Sequence, residues 1–295
     1  MAESTHEGVF DRHRPLLFTV AYELLSSVAD AEDVVQETYL RWSRRDADVE
    51  VTHPRAYLCQ IATRLSLNRL RTLSRRREDY VGPWLPEPLL TVPDVADDVV
   101  LAESVSLALM VVLESLGPKE RAVFLLREVF GYDHAEIAEA LGMTAVAVRQ
   151  TAHRAKQHVE SRRPRFETDD RVAGEVRERF TAAVVGGDVQ GLMDLMAPNV
   201  VVLSDGGGKV RAALRPVEGA DAAARLLIGI AQKAVPGLRL EEAMINGVPG
   251  WRAWDGEHLA AALQLVIIED RIAQVLIMMN PDKLGGLEEP RVIAR

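Results

Sequence analysis

The sequence predicts three folded parts, two all-α domains followed by an α+β domain, on three observations. Apolar residues recur at helical spacing from Phe10 to about Arg77 and again from Leu101 to Val159. Gly82-Pro83-Trp84-Leu85-Pro86-Glu87-Pro88 interrupts them, because its prolines remove backbone donors and fix an extended or turning path. Beyond Phe166, β-type runs alternate with helical ones.

In the first domain, Phe10, Leu17, Val20, Ala21 and Leu24 mark one helix. Asp30 and Asp33 open a second, with Ala31, Val34, Val35, Thr38 and Trp42 on its apolar side and Glu32, Asp33, Gln36, Glu37 and Arg41 on the other. Pro54 suits the first turn of a third helix, which buries Tyr57, Leu58, Ile61, Ala62 and Leu65 before a run of arginines.

In the second domain, Leu101 to Leu116 reads as one helix, and Gly117-Pro118 starts another that Gly131 ends. Asp133 and Glu136 form a capping-box pattern for a short helix with Ile137, Ala138 and Leu141. Gly142 supplies a tight turn, Thr144 caps the next helix, and Val148, Ala152, Ala155 and Val159 form its inner stripe. Two short helices around a glycine make a helix-turn-helix candidate. Its last helix exposes Ala147, Arg149, Gln150, His153, Arg154, Lys156 and Gln157; Arg and Gln suit base edges, Lys and the remaining Arg phosphates. The competing reading is a helical hairpin with a solvated basic face.

The third part reads as a helix from about Arg171 to Val185, a strand at Asn199 to Ser204, a helix near Asp221 to Ala234, and strands at Leu259–Ile268 and Ile272–Met279, taken as antiparallel. Asn280-Pro281 ends the last strand, since proline donates nothing to a ladder. Gly206 to Gly208 lacks the spacing of a phosphate loop and reads instead as a turn admitting close backbone approach. Asp205, Lys209, Arg211, Trp251, Arg252, His258 and Asp282 are candidates for a pocket, with no acid/base pair among them established.

Net charge, −9 from 35 Lys and Arg against 44 Asp and Glu, argues against nucleic-acid binding until its distribution is considered. Arg64, Arg69, Arg71, Arg75, Arg76 and Arg77 form one cluster, and Arg149, Arg154, Lys156, Arg162, Arg163 and Arg165 another. Between them, Asp79 to Pro118 holds no Lys or Arg but Asp79, Glu87, Asp94, Asp97, Asp98, Glu103 and Glu114. The lone Cys59 excludes an internal disulfide, and no metal-ligand spacing or cofactor motif is present, so no metal and no cofactor is expected. The N-terminus lacks signal-peptide features and the longest apolar run is too short to span a bilayer, so a cytoplasmic protein without membrane contact is expected.

Asp30-Ala-Glu-Asp-Val-Val-Gln-Glu-Thr-Tyr-Leu-Arg-Trp42 resembles the second conserved region of sigma-70 factors. Gly117-Pro-Lys-Glu-Arg-Ala-Val-Phe-Leu-Leu-Arg127 through Arg154-Ala-Lys156 resembles their fourth region. The order, with no third domain between, is that of extracytoplasmic-function sigma factors. Trp84-Leu-Pro-Glu-Pro88, Asp205-Gly-Gly-Gly-Lys209 and Asn280-Pro-Asp-Lys-Leu284 are similar to motifs of the group with a SnoaL-like C-terminal extension.

The resemblance implies a sigma region 2 helical bundle over 1–78, an acidic linker over 79–100, a sigma region 4 helix-turn-helix over 101–165 and a cone-shaped SnoaL-like regulatory domain over 166–295. It implies that Asp30, Asp33, Gln36 and Glu37 meet the β′ clamp helices of core RNA polymerase, with the β flap as a further polymerase contact. Tyr57, Asn68, Arg69 and Arg71 would melt and read the minus-ten element, although Tyr57 lies in an apolar stripe where core packing competes with base stacking. Arg149, Gln150, His153, Arg154 and Lys156 would bind the minus-thirty-five element. Trp84, Asp205, Lys209, Asp282 and Lys283 would be regulatory contacts, a linker tryptophan being costly unless it docks on a neighbouring domain. A SnoaL-like cavity implies a small-molecule ligand.

The function expected is promoter-specific initiation without chemistry of its own, modulated in cis by the C-terminal domain. A ligand-sensing one-component activator leaves Asp33, Gln36, Glu37 and the first arginine cluster unexplained. A regulator fused to an active SnoaL-like enzyme lacks a catalytic constellation.

Overall fold

Local signals set most of the helix boundaries. The computed structural model describes residues 6–45, 51–92, 99–162, 169–233 and 237–295. The acids Asp94, Asp97 and Asp98, the Arg163–Arg165–Phe166 segment, Ala234, and the side chains of Arg75, Arg76 and Arg77 lie outside that description. The chain forms two compact units.

The first unit, all helical, comprises 1–79, 91–163 and 290–295. Helix α1 spans His6–Leu25, α2 Val28–Ser43 and α3 Pro54–Glu78. The α2 helix begins earlier than Asp30: Ser27 is its N-cap, its hydroxyl accepting from the Asp30 amide at 3.3 Å. Its buried side is Ala31, Val34, Val35, Thr38 and Trp42, as the spacing predicts, joined by Val28 in the added first turn.

The predicted helix over 101–116 is instead two, α4 (Val99–Val105) and α5 (Leu107–Leu113). Ser106 causes the break: its hydroxyl donates to the Glu103 carbonyl at 2.8 Å and accepts from the Leu109 amide at 3.3 Å, ending one helix and capping the next. Helix α6 (Pro118–Phe124) runs into a π turn at Leu125–Val129. Helices α7 (His134–Leu141) and α8 (Ala145–Arg162) form the helix-turn-helix. The Asp133 carboxylate caps Ala135 and Glu136, Glu136 bonds back to the Asp133 amide, and Gly142 takes φ of 62°, where a Cβ is disfavoured. The buried stripe of α8 is Val148, Thr151, Ala155 and Val159; Thr151 replaces the expected Ala152, which is half-buried.

The C-terminal segment returns to this unit. Thr91 forms a parallel bridge with Arg291, Arg291 pairs with Glu32 and lies 5.1 Å from the Phe18 ring, and the Ala294 amide donates to the Thr19 hydroxyl at 3.1 Å.

The second unit comprises 80–90 and 164–289. After α9 (Asp170–Gly186) and α10 (Val189–Leu195), strands β1 (Met196–Asp205) and β2 (Val217–Glu218) precede α11 (Ala220–Gln232). Strands β3 (Arg239–Ile245), β4 (Val248–Asp255), β5 (His258–Ile268) and β6 (Arg271–Met278) then complete a sheet of order β2-β1-β6-β5-β4-β3. The expectation of purely antiparallel strands is corrected: β1 runs parallel to β6. The long connection between them permits this, since a parallel pair needs a crossover rather than a hairpin. Phe180 of α9 stacks on Trp251 of β4 at 5.9 Å, within a core that includes Leu192, Leu195, Leu227, Leu265 and Val275.

Candidate nucleic-acid interface

The basic face of α8 follows from its buried stripe. With Val148, Thr151, Ala155 and Val159 turned inward, Arg149, Gln150, His153 and Arg154 are exposed, and among the described residues none of them has a hydrogen-bond or ion-pair partner. Thr144 caps the helix, accepting from Ala147 at 3.2 Å. Lys156 differs: its ammonium is paired with Glu128 at 2.9 Å, which holds its pKa above the usual lysine range and occupies the charge a phosphate would need. Ala147 is half-buried rather than exposed.

In α2 and α3 the predicted polymerase and DNA residues meet each other. The Arg69 guanidinium forks onto two carboxylates one turn apart on α2, Asp30 and Asp33, the latter at 2.6 Å. The geometry is charge-assisted and two-pronged, and it raises the arginine pKa further despite partial burial. Glu37 is bound by Arg41 at 3.0 Å, one turn on, while Gln36 is exposed. Asn68 and Arg71 are exposed on α3. Tyr57 is half-buried and its ring centre lies 6.1 Å from that of buried Trp42, so it packs against α2 in this arrangement. Arg64 is turned to α7, donating to the Ala140 and Glu139 carbonyls at 2.8 and 3.0 Å, where it caps that helix's C-terminus.

Cys59 is a buried free thiol, its pKa pushed up to about 11 by desolvation, which leaves it unreactive. Among the described residues no group of three or more His, Cys, Asp and Glu is placed to hold a metal, and no helix is long and apolar enough to cross a membrane.

In the second unit the linker is docked. Asp205, at the end of β1, is fully buried. Its carboxylate accepts from the Tyr80 hydroxyl at 2.5 Å, the Leu85 amide at 2.8 Å and the Lys283 ammonium at 2.8 Å. Lys283, 7% exposed, also donates to the Leu85 carbonyl at 2.7 Å and lies 4.1 Å from the Trp84 ring and 4.6 Å from that of Tyr80. Burial first, and then the Asp205 charge, raise the Tyr80 hydroxyl's pKa. Asn280 donates to the Tyr80 hydroxyl at 2.8 Å. Further along, the Leu89 amide donates to the Asn246 side-chain oxygen and the Asn246 amide donates to the Leu89 carbonyl, both at 2.8 Å, and the Leu90 amide donates to the Gly286 carbonyl at 2.9 Å.

Two glycines of the three-glycine turn allow close approaches at this site. Gly207 has φ of 59°, and a Cβ there would sit 2.3 Å from the Asn280 amide nitrogen; one at Gly208 would press on Val81 at 3.2 Å. Lys209 and Asp282 form a separate, exposed ion pair at 2.5 Å. The proposed pocket residues therefore have different surroundings: Asp205 is used up by the linker, Trp251 is core, Arg252 binds Glu241 at 2.6 Å and the Leu287 carbonyl at 2.8 Å, and Arg211 and His258 are exposed. Tyr80 and Asn246 belong to the docking site but carry no spacing signal in the sequence, whereas Asn280 opens one of the motifs that carry the resemblance. The one hint is an aromatic at the start of a linker too polar to bury it.

Two helical modules, one with a basic-faced helix-turn-helix, define a DNA-reading transcription protein. The Sigma-70 region 2 family matches residues 9–76 and the Sigma-70, region 4 family residues 106–159. The chain belongs to the extracytoplasmic-function sigma factors. It is 38% identical to the ECF RNA polymerase sigma factor SigJ of Mycobacterium tuberculosis, across 94% of this chain and 92% of that protein. It is 30% identical to the probable ECF RNA polymerase sigma factor SigI of the same organism, across 93% of each. The crystal structure of M. tuberculosis SigJ superposes with a TM-score of 0.76 at 35% identity, covering 94% of this chain and 97% of that one.

Proposed function

We infer that this chain is a promoter-specificity subunit: it binds core RNA polymerase and directs it to start transcription at particular promoters, without catalysing a reaction. The observation that carries this is the pairing of a region 2 module with a region 4 helix-turn-helix in one chain, in the family's order. Neither a one-component activator nor a fused enzyme accounts for that pairing.

Within this reading, 1–78 binds polymerase and the minus-ten element, 79–100 links, 101–165 binds the minus-thirty-five element, and 166–295 regulates as a SnoaL-like domain. Asp30, Asp33, Gln36 and Glu37 face the β′ clamp helices, and the second module meets the β flap. An acidic, amide-bearing helix face suits a basic partner helix. Arg71, Asn68 and Arg69 hold the minus-ten strand, Arg69 after leaving its carboxylates. Arg149, Gln150, His153 and Arg154 read the minus-thirty-five element, and Lys156 joins them on release from Glu128. The protein acts in the cytoplasm. The linker docked on Asp205 and Lys283 supports regulation in cis, because it ties the chain between the two promoter-reading modules to the C-terminal domain.

The test is reconstitution: the purified chain mixed with core polymerase should co-elute as a one-to-one complex that protects promoter DNA. A chain that never associates with core polymerase refutes the assignment.

A further inference from the structure

The two promoter-reading modules pack together in one unit, α1 of the first lying against α4, α6 and the π turn of the second. Elements named minus ten and minus thirty-five stand roughly 25 base pairs apart, on the order of 85 Å at 3.4 Å per base pair. Modules in direct contact cannot occupy both, so promoter engagement requires this seam to part.

Glu23 of α1 is buried in that seam with no exposed surface. Among the described residues its carboxyl receives one hydrogen bond, from the Ser104 hydroxyl of α4 at 2.6 Å, and its other oxygen is buried without a partner. The nearby cation compensates it only in part. Arg121 of α6, itself 2% exposed, donates to the Glu23 backbone carbonyl at 2.8 Å and to the Ser26 hydroxyl at 2.6 Å, and forms its ion pair with Glu114 at the end of α5, so that its charge is shared between two carboxyl groups. Ser26, at φ of 58°, closes the circuit by donating to Glu114 at 2.7 Å. Tyr22 of α1 also faces this cluster. Arg127 and Glu128 of the π turn are directed elsewhere, to the Tyr132 carbonyl and Lys156.

A fully buried carboxyl whose hydrogen bond comes from a hydroxyl, and whose nearest cation is ion-paired with another carboxylate, is held in the protonated form because desolvation outweighs that partial compensation. We propose that Glu23 and Ser104 form a proton-operated latch between the two promoter-reading modules, closed when Glu23 is protonated and released as it ionises. The proposal rests on the sigma-factor reading only for the need to open. Burial raises the Glu23 pKa to about 8 in the closed arrangement, partly offset by Ser104 and Arg121, whereas a solvated glutamate titrates near 4.5. The closed state therefore holds one more proton than the open state between those values. The latch is at full strength below the open-state pKa and weakens as pH rises toward the closed-state pKa. The open-to-closed ratio rises by up to about tenfold per pH unit across that window. Arg121, lowered to about 9 by burial, stays charged through it.

The test places a fluorophore pair on the full chain at two exposed positions, one per module, by Ser43→Cys and Glu160→Cys; buried Cys59 is not labelled. Energy transfer should fall from pH 6 to pH 8 in the otherwise unaltered chain and stay high and pH-independent in Glu23→Gln. Glu23→Met, which needs no partner, should behave like the amide and serves if the amide misfolds. Transfer that is unchanged with pH, or that changes equally in the variants, overturns the latch. Adding core polymerase separates the two readings. Opening by polymerase that is easier at pH 8 supports both, pH-independent opening rejects the latch alone, and no opening at either pH counts against the promoter-reading assignment.

Discussion

Replacing Asp205 by alanine removes the acceptor that holds the linker in place. The carboxylate serves three donors from the linker and the C-terminal turn, Tyr80, Leu85 and Lys283, and all are lost together. The largest cost comes from Lys283, whose side chain is 8% exposed and whose ammonium is paired with Asp205 at 2.8 Å. Breaking a buried pair from one side costs about 3–5 kcal/mol, most of it the penalty of the stranded charge. Two rings and the Leu85 carbonyl remain beside the ammonium and soften that cost, which places the expectation near the lower bound, about 3 kcal/mol. The assay is urea unfolding of the full chain with limited proteolysis of the native protein. The Asp205→Ala chain should lose that stability and become cleavable between Tyr80 and Leu90. An apolar replacement at both positions, Asp205→Leu with Lys283→Met, should recover a large part of it, since no charge is left stranded. A loss below about 1 kcal/mol, the scale of an exposed pair, with an uncut linker, would refute the argument that this buried pair fastens the segment.

Further outcomes follow from the same geometry. Gly207→Ala should destabilise the α+β unit, because the position needs positive φ and the new methyl would meet Asn280 at 2.3 Å; thermal unfolding measures it, and an unchanged midpoint rejects the close-approach account. Arg154→Ala should weaken holoenzyme binding to promoters carrying a minus-thirty-five element by about 1–3 kcal/mol if Arg154 reads a base edge. Equal weakening on scrambled sequences would make it a phosphate contact instead. Charge reversal of Asp33 and Glu37 should reduce affinity for core polymerase while leaving the circular dichroism spectrum intact, and unchanged affinity removes both from that interface. Glu128→Gln should free Lys156 and tighten nonspecific DNA binding with a steeper salt dependence; an unaltered salt slope means Lys156 does not reach phosphate.

The helical half was legible where one local signal decided the outcome. The α2 stripe from Ala31 to Trp42, the Asp133–Glu136 capping box and the Gly142 turn each depend on residues within a few positions. The break at Ser106 was not, because the Leu107–Leu113 stretch is apolar on nearly every side and its periodicity hides the boundary. In the α+β unit, β3 and β4 escaped notice because their exposed charged residues, Arg239 and Asp255 among them, dilute the alternation. The parallel β1–β6 pair depends on long-range topology that neither strand encodes alone.

The site residues divide in the same way. Exposed Arg149, Gln150 and Arg154 follow from the α8 stripe. The capture of Arg69 by Asp30 and Asp33, of Lys156 by Glu128, and of Asp205 by the linker are long-range pairings, invisible to spacing. Asp205 is the clearest case: the residues alone allowed a pocket role and the resemblance implied a regulatory contact, and its burial under Tyr80 and Leu85 makes it the linker's structural acceptor rather than a pocket residue.

The most direct test of the central claim is run-off transcription with purified core polymerase, this chain and a promoter library. Discrete transcripts are expected from a subset of promoters sharing minus-ten and minus-thirty-five elements, dependent on the added chain. Transcription no different from core polymerase alone would contradict it.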